Sequence, residues 1–284
     1  MKSQIIIRRT RLASALLAVA FAPAAFAQAA PTLGTAGNFA VLGGSTVTNT
    51  GPSTVTGELG VSPGTAVTGF PPGIVVGTIH SADAAALSAQ NALTVAYNSA
   101  AAAPCNTSLT GTDLGGLTLT PGVYCFSSSA QLTGTLTLNA QGNPGAVFIF
   151  KTGTTLTTAS ASQVVVINSG SACNVYWQVG SSATLGTGSS FAGNILANSS
   201  ITLTTGAAVA GRTLARTGAV TLDSANVTVC SGGTFPPLPP GGVLPQGPQP
   251  VPVSSPLALS VLAALLVAMG LFFGRSRLRA LRAH

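Results

Sequence analysis

Two adjoining stretches decide the fold of this chain: ATLGTGSSFAGNILANSS at residues 183–200 and ITLTTGAAVAGRTLARTG at residues 201–218. Aligned without a gap, they are identical at eight of 18 positions. A repeat of this length is too short for a pair of helices, which needs more than about thirty residues. It is typical of one coil of a β-solenoid, in which short strands meet at glycine corners.

Runs of alternating apolar and hydroxyl side chains extend this strand pattern on both sides of the repeat. Examples are LTGTLTL at residues 132–138 and VTL at residues 220–222. Because successive side chains of a strand point to opposite faces, Leu is expected in the core and Thr outside. Two other runs, AVFIF at 146–150 and VVVI at 164–167, are apolar on both faces and therefore need cover on both.

One helix is predicted, over the alanine-rich residues 81–103. Ser81 is expected to cap its N-terminus, and Pro104 marks its end. Four side chains share one face at helical spacing: Ala86, Leu93, Tyr97 and Ala100. We expect this face to pack along the strands and to seal one side of the solenoid.

The net charge of +7 comes from the two ends of the chain and not from its middle. The charged side chains of residues 28–234 are three cations and four carboxylates: Lys151, Arg212, Arg216, Glu58, Asp83, Asp113 and Asp223. A nucleic-acid-binding domain needs clustered Lys and Arg on its folded surface. No nucleic-acid partner is therefore expected.

Catalytic and metal-binding residues are equally sparse. His80 is the single histidine between the two ends, where it precedes the predicted helix, and no Cys-x-x-Cys pair occurs. Residues 60–64 match the G-x-S-x-G pattern, but Pro63 follows the serine and lacks the N–H that an oxyanion hole requires. The sequence therefore predicts neither an enzyme nor a cofactor or metal site.

The N-terminus has the pattern of a secretory signal peptide. Basic residues precede an apolar stretch, and Ala25-Phe26-Ala27 offers a small-x-small cleavage site. Residues 1–27 are therefore predicted to engage the export machinery, with cleavage between Ala27 and Gln28.

The C-terminus is a tail of three parts. A proline-rich linker at 235–256 precedes an apolar segment at 257–273, and a basic cluster occupies 274–284. One interpretation is a membrane helix whose positive flank stays inside. The alternative is a sorting signal, because PVPV at 250–253 followed by the apolar segment and arginines resembles the tails that exosortase-type enzymes process. That alternative implies a sorting transpeptidase-like membrane enzyme as partner and removal of the membrane helix.

Four cysteines in an exported chain favour disulfides over free thiols. Three pairings are possible. Proximity along the chain favours Cys105–Cys125 and Cys173–Cys230.

Several ordered motifs between residues 32 and 230 resemble the ice-binding-like (DUF3494-type) family. These motifs are GELGVSPG at 57–64, GFPPG at 69–73, LTPGVY at 119–124, VYWQVG at 175–180 and FAGNILA at 191–197. The resemblance implies an all-β fold, a right-handed discontinuous β-helix of roughly triangular section with one long helix packed alongside. Members with known activity adsorb to ice through one flat face, which makes an ice crystal surface the expected partner.

Outward threonines form the expected ice-contact face when Leu is used to mark the core side. The first predicted column is Thr135, Thr155, Thr184, Thr202 and Thr221. The second is Thr137, Thr157 and Thr204, interrupted by Gly186 and Asp223. The N-terminal strands add Thr46, Thr48, Thr50, Thr54 and Thr56 as an extension. Because Thr is also a favourable residue for any half-exposed strand, a surface adhesion or structural coat protein without ice affinity is the alternative function.

Overall fold

The computed structural model of the chain describes residues 28–230. The predicted signal peptide and the three-part C-terminal tail lie outside the described residues. Within the described range, none of the helices has the length and apolar character needed to span a bilayer.

Short strands make up most of the described chain. The strands before the helix are β1 (Phe39–Gly43), β2 (Thr46–Thr50), β3 (Thr54–Thr56), β4 (Glu58–Val61), β5 (Ala66–Thr68), β6 (Ile74–Val76) and β7 (Ile79–Ser81). The helix α1 is Ala84–Ala102. The strands after it are β8 (Thr107–Ser108), β9 (Thr118–Leu119), β10 (Gly122–Phe126), β11 (Ala130–Leu132), β12 (Thr135–Asn139), β13 (Phe148–Thr152), β14 (Leu156–Thr158), β15 (Gln163–Ile167), β16 (Val175–Val179), β17 (Ala183–Leu185), β18 (Ser190–Ala197), β19 (Ile201–Leu203), β20 (Ala208–Ala215), β21 (Val220–Asp223) and β22 (Asn226–Thr228). Two single 3₁₀ turns complete the described elements, at Gly34–Asn38 and Ala172–Asn174.

The strands stack in parallel into three rows. The row that we call the threonine row is a seven-stranded sheet in the order β11-β14-β17-β19-β21-β2-β5. The helix row, on which α1 packs, runs β8-β10-β13-β16-β18-β20-β1-β4-β7. The third row runs β9-β12-β15-β18-β20-β22-β3-β6.

The two repeat copies pass from the third row to the helix row through a glycine corner. Strands β18 and β20 are eight residues long and pair along their whole length, so that Gly193 lies beside Gly211. Both glycines have positive φ, at 120° and 152°, a region that other residues resist. A Cβ on Gly211 would also collide with the carbonyl of Gly193. The repeated glycine of the sequence therefore marks a corner that admits no side chain.

The order of strands in space is discontinuous along the chain. The N-terminal strands β1, β2 and β3 pair with β20, β21 and β22, which are the last strands of the described chain. Helix α1 then carries the chain from β7, at one end of the helix row, to β8 at the other. The discontinuous ladder expected from the family resemblance is thus present.

Aromatic and branched side chains fill the space between the rows. Trp177 is fully buried, stacks on Phe150 at 4.0 Å between ring centroids, and donates from Nε1 to the carbonyl of Ala192 at 3.1 Å. Since its N–H is satisfied, this large side chain can be buried without leaving an unpaired donor. Trp177 is therefore a core residue.

The N-cap of the helix lies two residues later than predicted. Ser81 is the last residue of β7, and its hydroxyl donates to the carbonyl of Thr65 at 2.7 Å. Asp83 is the N-cap instead, and its Oδ1 accepts from the backbone N–H of Ala86 at 2.8 Å. The predicted apolar face is confirmed, because the side chains of α1 that it comprises are buried against the helix row.

The helix covers only one of the two strands that are apolar on both faces. Ile149 of β13 is fully buried in the cluster beneath α1. Strand β15 lies instead in the third row, where Val165 is half-buried and Ile167 is 36% exposed. The expectation that both strands are covered on both sides is therefore wrong for β15.

Two disulfides cross-link the described chain, Cys105–Cys125 and Cys173–Cys230. These are the pairs favoured by the spacing of the cysteines in the sequence. The second bond ties the chain just after β22 to the turn that precedes β16, so it fastens the last strands to the middle of the domain.

Candidate functional site

A single column of outward side chains runs the length of the threonine row. The strand register places these residues side by side, in the order Gln131, Thr157, Thr184, Thr202, Thr221, Thr48 and Thr68. None of them is buried. With neighbouring strands about 4.8 Å apart, the column is about 29 Å long. Six threonines in succession thus present a methyl and a hydroxyl group at each step.

The column faces outward because the side chains that point the other way are buried. Five inward neighbours are fully buried in the main core: Leu156, Leu185, Leu203, Leu222 and Val47. Because strand side chains alternate between faces, burial of these residues forces the threonines outward. A hydrogen bond of 3.3 Å between the hydroxyls of Thr48 and Thr221 joins β2 to β21.

Small hydroxyl and methyl side chains flank the column on one side. The positions two residues before the column are half-exposed: Thr155, Ser182, Ser200, Ala219 and Thr46. Here Ser200 is a structural residue as well, since its Oγ accepts from the backbone N–H of Ala219 at 3.2 Å. This flank adds a second line of small groups beside the threonines.

The opposite flank is less regular. Its positions two residues after the column are Gly186, Thr204, Asp223 and Thr50. The hydroxyl of Thr204 donates to the carbonyl of Leu185 at 2.7 Å, and Asp223 hydrogen-bonds the hydroxyls of Thr205 and Ser224. Within the strands of this row, Asp223 is the one charged residue. At the β11 end of the row, Asp113 forms an isolated parallel β-bridge with Gln131.

The structure divides the predicted face between two rows. The predicted residues in or beside the threonine row are Thr46, Thr48, Thr50, Thr155, Thr157, Thr184, Thr202, Thr204 and Thr221. The remaining four lie in the third row: Thr54, Thr56, Thr135 and Thr137. The column predicted from the sequence is therefore wrong at its beginning, where Gln131 and Thr157 replace Thr135 and Thr155. The register also adds Thr68, which the sequence did not single out.

The titratable groups of the described residues do not form a catalytic cluster. His80 lies beside Asp83, with Nδ1 and Oδ2 at 2.7 Å, and 3.9 Å from Glu58. This contact supports the cap of α1, and the hydrogen bond from Ala86 followed by that from His80 lowers the pKa of Asp83. Among residues 28–230, no group of His, Cys, Asp and Glu is arranged to hold a metal ion.

The described residues thus form three rows of parallel strands in register, with a helix packed on one row and a threonine column along another. The sequence profile of the Ice-binding-like family matches residues 41–228. This chain belongs to that family.

Named relatives agree with this membership. An ice-binding protein of Nostoc sp. (strain HG1) is 57% identical over 197 residues, covering 69% of this chain and 73% of its own length. The crystal structure of an ice binding protein from an Antarctic Biological Consortium has a TM-score of 0.70 and 43% identity, covering 80% of this chain and 97% of that chain. These relatives are named for ice binding, in agreement with the sequence-based exclusion of an enzyme.

A third relative shows the extent of the folding unit. The crystal structure of the ice-binding protein of Antarctomyces psychrotrophicus is 39% identical, with a TM-score of 0.69, and 72% of this chain covers 100% of that chain. A chain that consists of this domain alone therefore folds.

Proposed function

We propose that this protein adsorbs to ice through the threonine row. The observation that carries the proposal is the in-register column of six threonines on a parallel sheet. The names of the relatives support the same activity, and the regularity of the column supports the threonine row as the surface that performs it.

The chemistry of the column suits a crystalline water surface. Each threonine methyl orders adjacent water, while the hydroxyl anchors that water by a hydrogen bond. A repeat of about 4.8 Å along the column gives these groups one spacing throughout. Charged groups would hold water in a geometry unlike that of ice, and the column itself has none.

We further propose that the three rows wind as a right-handed solenoid of triangular section. The chain visits the helix row, the threonine row and the third row in succession through β18, β19 and β20. Crossovers between parallel strands are right-handed in nearly all proteins, which supports this winding.

Export and surface anchoring are also part of the proposed function. The signal-peptide pattern of residues 1–27 and the two disulfides of the domain support an oxidising, extracytoplasmic location. The tail at 235–284 then either anchors the domain at the cell surface as a membrane helix or is processed by a sorting enzyme.

A pair of matched substitutions tests the ice-contact surface. Thr202→Tyr places a bulky ring in the middle of the column, whereas Thr137→Tyr makes the same change at a half-exposed position of the third row. Fluorescently labelled residues 28–234, with disulfides formed, are followed on a growing single ice crystal. We expect T202Y to abolish adsorption and recrystallisation inhibition, and T137Y to retain both.

Circular dichroism and thermal melting establish that both variants are folded. Adsorption by a folded T202Y protein at the level of the parent would contradict the assignment of the threonine row. Failure of the parent domain to bind ice would contradict the proposed activity itself.

A further inference from the structure

A groove of about 610 Å³ opens where the C-terminal end of α1 meets the helix row. Its polar lining comes from Tyr97, Ser108, Thr110, Ser127, Lys151 and Gln178. No residue of the threonine-row strands lines it. The groove is therefore a separate surface, and its chemistry is distinct from that of the threonine column.

The charge of the groove is positive and uncompensated. Lys151 Nζ donates to the carbonyl of Ala103 at 2.7 Å, which leaves two further N–H donors on the ammonium. The guanidinium of Arg216 lies 4.6 Å from the centroid of the Tyr97 ring, beside the groove. None of the carboxylates within residues 28–230 is part of the lining.

Polar groups without partners are concentrated here. Gln178 is only 6% exposed and faces Lys151 in the register of β13 and β16, yet its amide makes no hydrogen bond to any described residue. Thr152 Oγ1 and Arg216 Nε are also buried without a partner, two of four such atoms in the described chain. Since buried polar groups are normally paired, the groove has the donors and acceptors of a binding site.

We propose that this groove binds an acidic sugar, with the carboxylate of a uronic acid residue at Lys151 and sugar hydroxyls at Gln178, Ser108 and Ser127. A primary amide donates and accepts at once, as a sugar hydroxyl does, so the two are complementary. The free N–H groups of Lys151 select a carboxylate, to which they can make charge-assisted hydrogen bonds. The Cys105–Cys125 disulfide provides an apolar surface against which a sugar ring can pack.

The position of the groove makes this binding compatible with the threonine row. The groove lies along the helix row, and its lining reaches Ser127, Gly153 and Gly180, each three residues before a threonine-row strand begins. An acidic polysaccharide held there leaves the threonine column uncovered. The domain could then be retained in a surface polysaccharide layer while its flat row stays free.

A titration of ¹⁵N-labelled residues 28–234 with digalacturonate tests the proposal by NMR. We expect saturable shifts of the backbone amides of Ser127, Lys151 and Gln178. The neutral methyl ester of the same disaccharide should bind about tenfold more weakly, because it cannot make the charge-assisted bonds to Lys151. Acetate, which carries the charge without the sugar, should bind more weakly still.

The outcomes that overturn the proposal are specific. Equal affinity for the methyl ester would remove the role of the charge, and equal affinity for acetate would remove the role of the sugar. Absence of any saturable shift in these amides of a folded protein would show that the groove is not an acidic-sugar site.

Matched variants place the binding in the groove. Lys151→Met should lose about tenfold in affinity, whereas Lys151→Arg keeps the charge and should stay within about threefold of the parent. Because Lys151 also contacts the helix end, a second pair uses exposed positions: Ser127→Tyr fills the groove, while Ser128→Tyr adds the same ring outside its lining. Only S127Y should abolish binding, and equal loss in S128Y would contradict the site.

This proposal does not depend on the ice-binding activity. The T202Y variant, which should lose ice adsorption, should bind digalacturonate like the parent. Loss of sugar binding in a folded T202Y protein would contradict the separation of the two surfaces.

Discussion

The threonine row and the third row are built on the same core, yet their outer surfaces differ in regularity. A column of seven outward positions in the third row contains six residue types: Thr135, Gln163, Ser190, Ala208, Asn226, Thr54 and Ile74. The corresponding column of the threonine row has six threonines and one glutamine. The strands themselves therefore tolerate varied outer residues.

This difference bears directly on why the threonines are there. If Thr were present only because it suits a half-exposed strand, both rows would be expected to hold it equally. The concentration of Thr in a single in-register column indicates that this surface makes the same kind of contact at every strand. The third row ends instead in exposed Ile74 and Val76, at 59% and 57%, and offers no repeated group.

The largest expected effect comes from cavities made beneath each of the two rows. Leu203 lies under the threonine row and Leu138 under the third row, and both are fully buried in the same core. Replacing either by Ala should lower the free energy of unfolding by about 3 kcal/mol, measured by urea denaturation. Ice adsorption of the folded fraction should fall in L203A only, because only that cavity lies behind the column. An equal loss of adsorption in folded L138A would contradict the proposal that ice contact depends on the threonine row and not on the third row.

A smaller effect is expected from the single charge within the threonine-row strands. Asp223→Asn keeps the size of the side chain and removes its charge, and the amide oxygen can still accept one of the two hydroxyl hydrogen bonds. We expect ice adsorption to rise about twofold, a magnitude typical of one exposed charge. Glu58→Gln makes the same change in the helix row and serves as the control. A gain of similar size in E58Q would show that the effect is one of net charge and not of the row.

The smallest effect on ice binding is expected at the cap of α1, which belongs to neither row. The Ala86 hydrogen bond and the contact with His80 lower the pKa of Asp83 below its usual 3.8. A lowered pKa in the folded state means that the ionised carboxylate stabilises the fold above pH 3.8, and that this is lost as the pH falls through the folded value. Asp83→Asn should therefore lower the melting temperature at neutral pH, and the difference should shrink in acid. Ice adsorption at neutral pH should be unchanged.

Much of the architecture could be predicted because the two copies of the 18-residue repeat adjoin in the sequence with no insertion between them. The pairing of residues 190–197 with 208–215 follows from it directly, with Gly193 beside Gly211. The helix and the buried Trp177 were also predictable, since each depends on local spacing of apolar residues. The first residue of the helix was less predictable, because Ser81 and Asp83 are both good capping residues and only tertiary contacts decide between them.

The predicted column failed where insertions separate the earlier coils from the repeat. The sequence alignment placed Leu156 beside Leu185, whereas the structure pairs Leu156 with Ala183. This register shift of two residues keeps Thr155 on the outer face but moves it out of the threonine column into the flanking positions. Thr157 takes its place beside Thr184. Thr135 and Leu136 are displaced further, because their strand, β12, belongs to the third row. The groove had no sequence signal, since its lining comes from separate segments that only the fold brings together.

The measurement that tests the central claim most directly compares two fourfold Thr→Ser variants in adsorption to single ice crystals. One variant removes the methyl groups of Thr48, Thr184, Thr202 and Thr221 from the threonine row, and the other removes those of Thr54, Thr56, Thr135 and Thr137 from the third row. Both keep every hydroxyl, so the two differ only in which row loses its methyl groups. We predict that the first variant loses ice adsorption and that the second retains it. The reverse result, or equal adsorption by both folded variants, would contradict the assignment of ice contact to the threonine row.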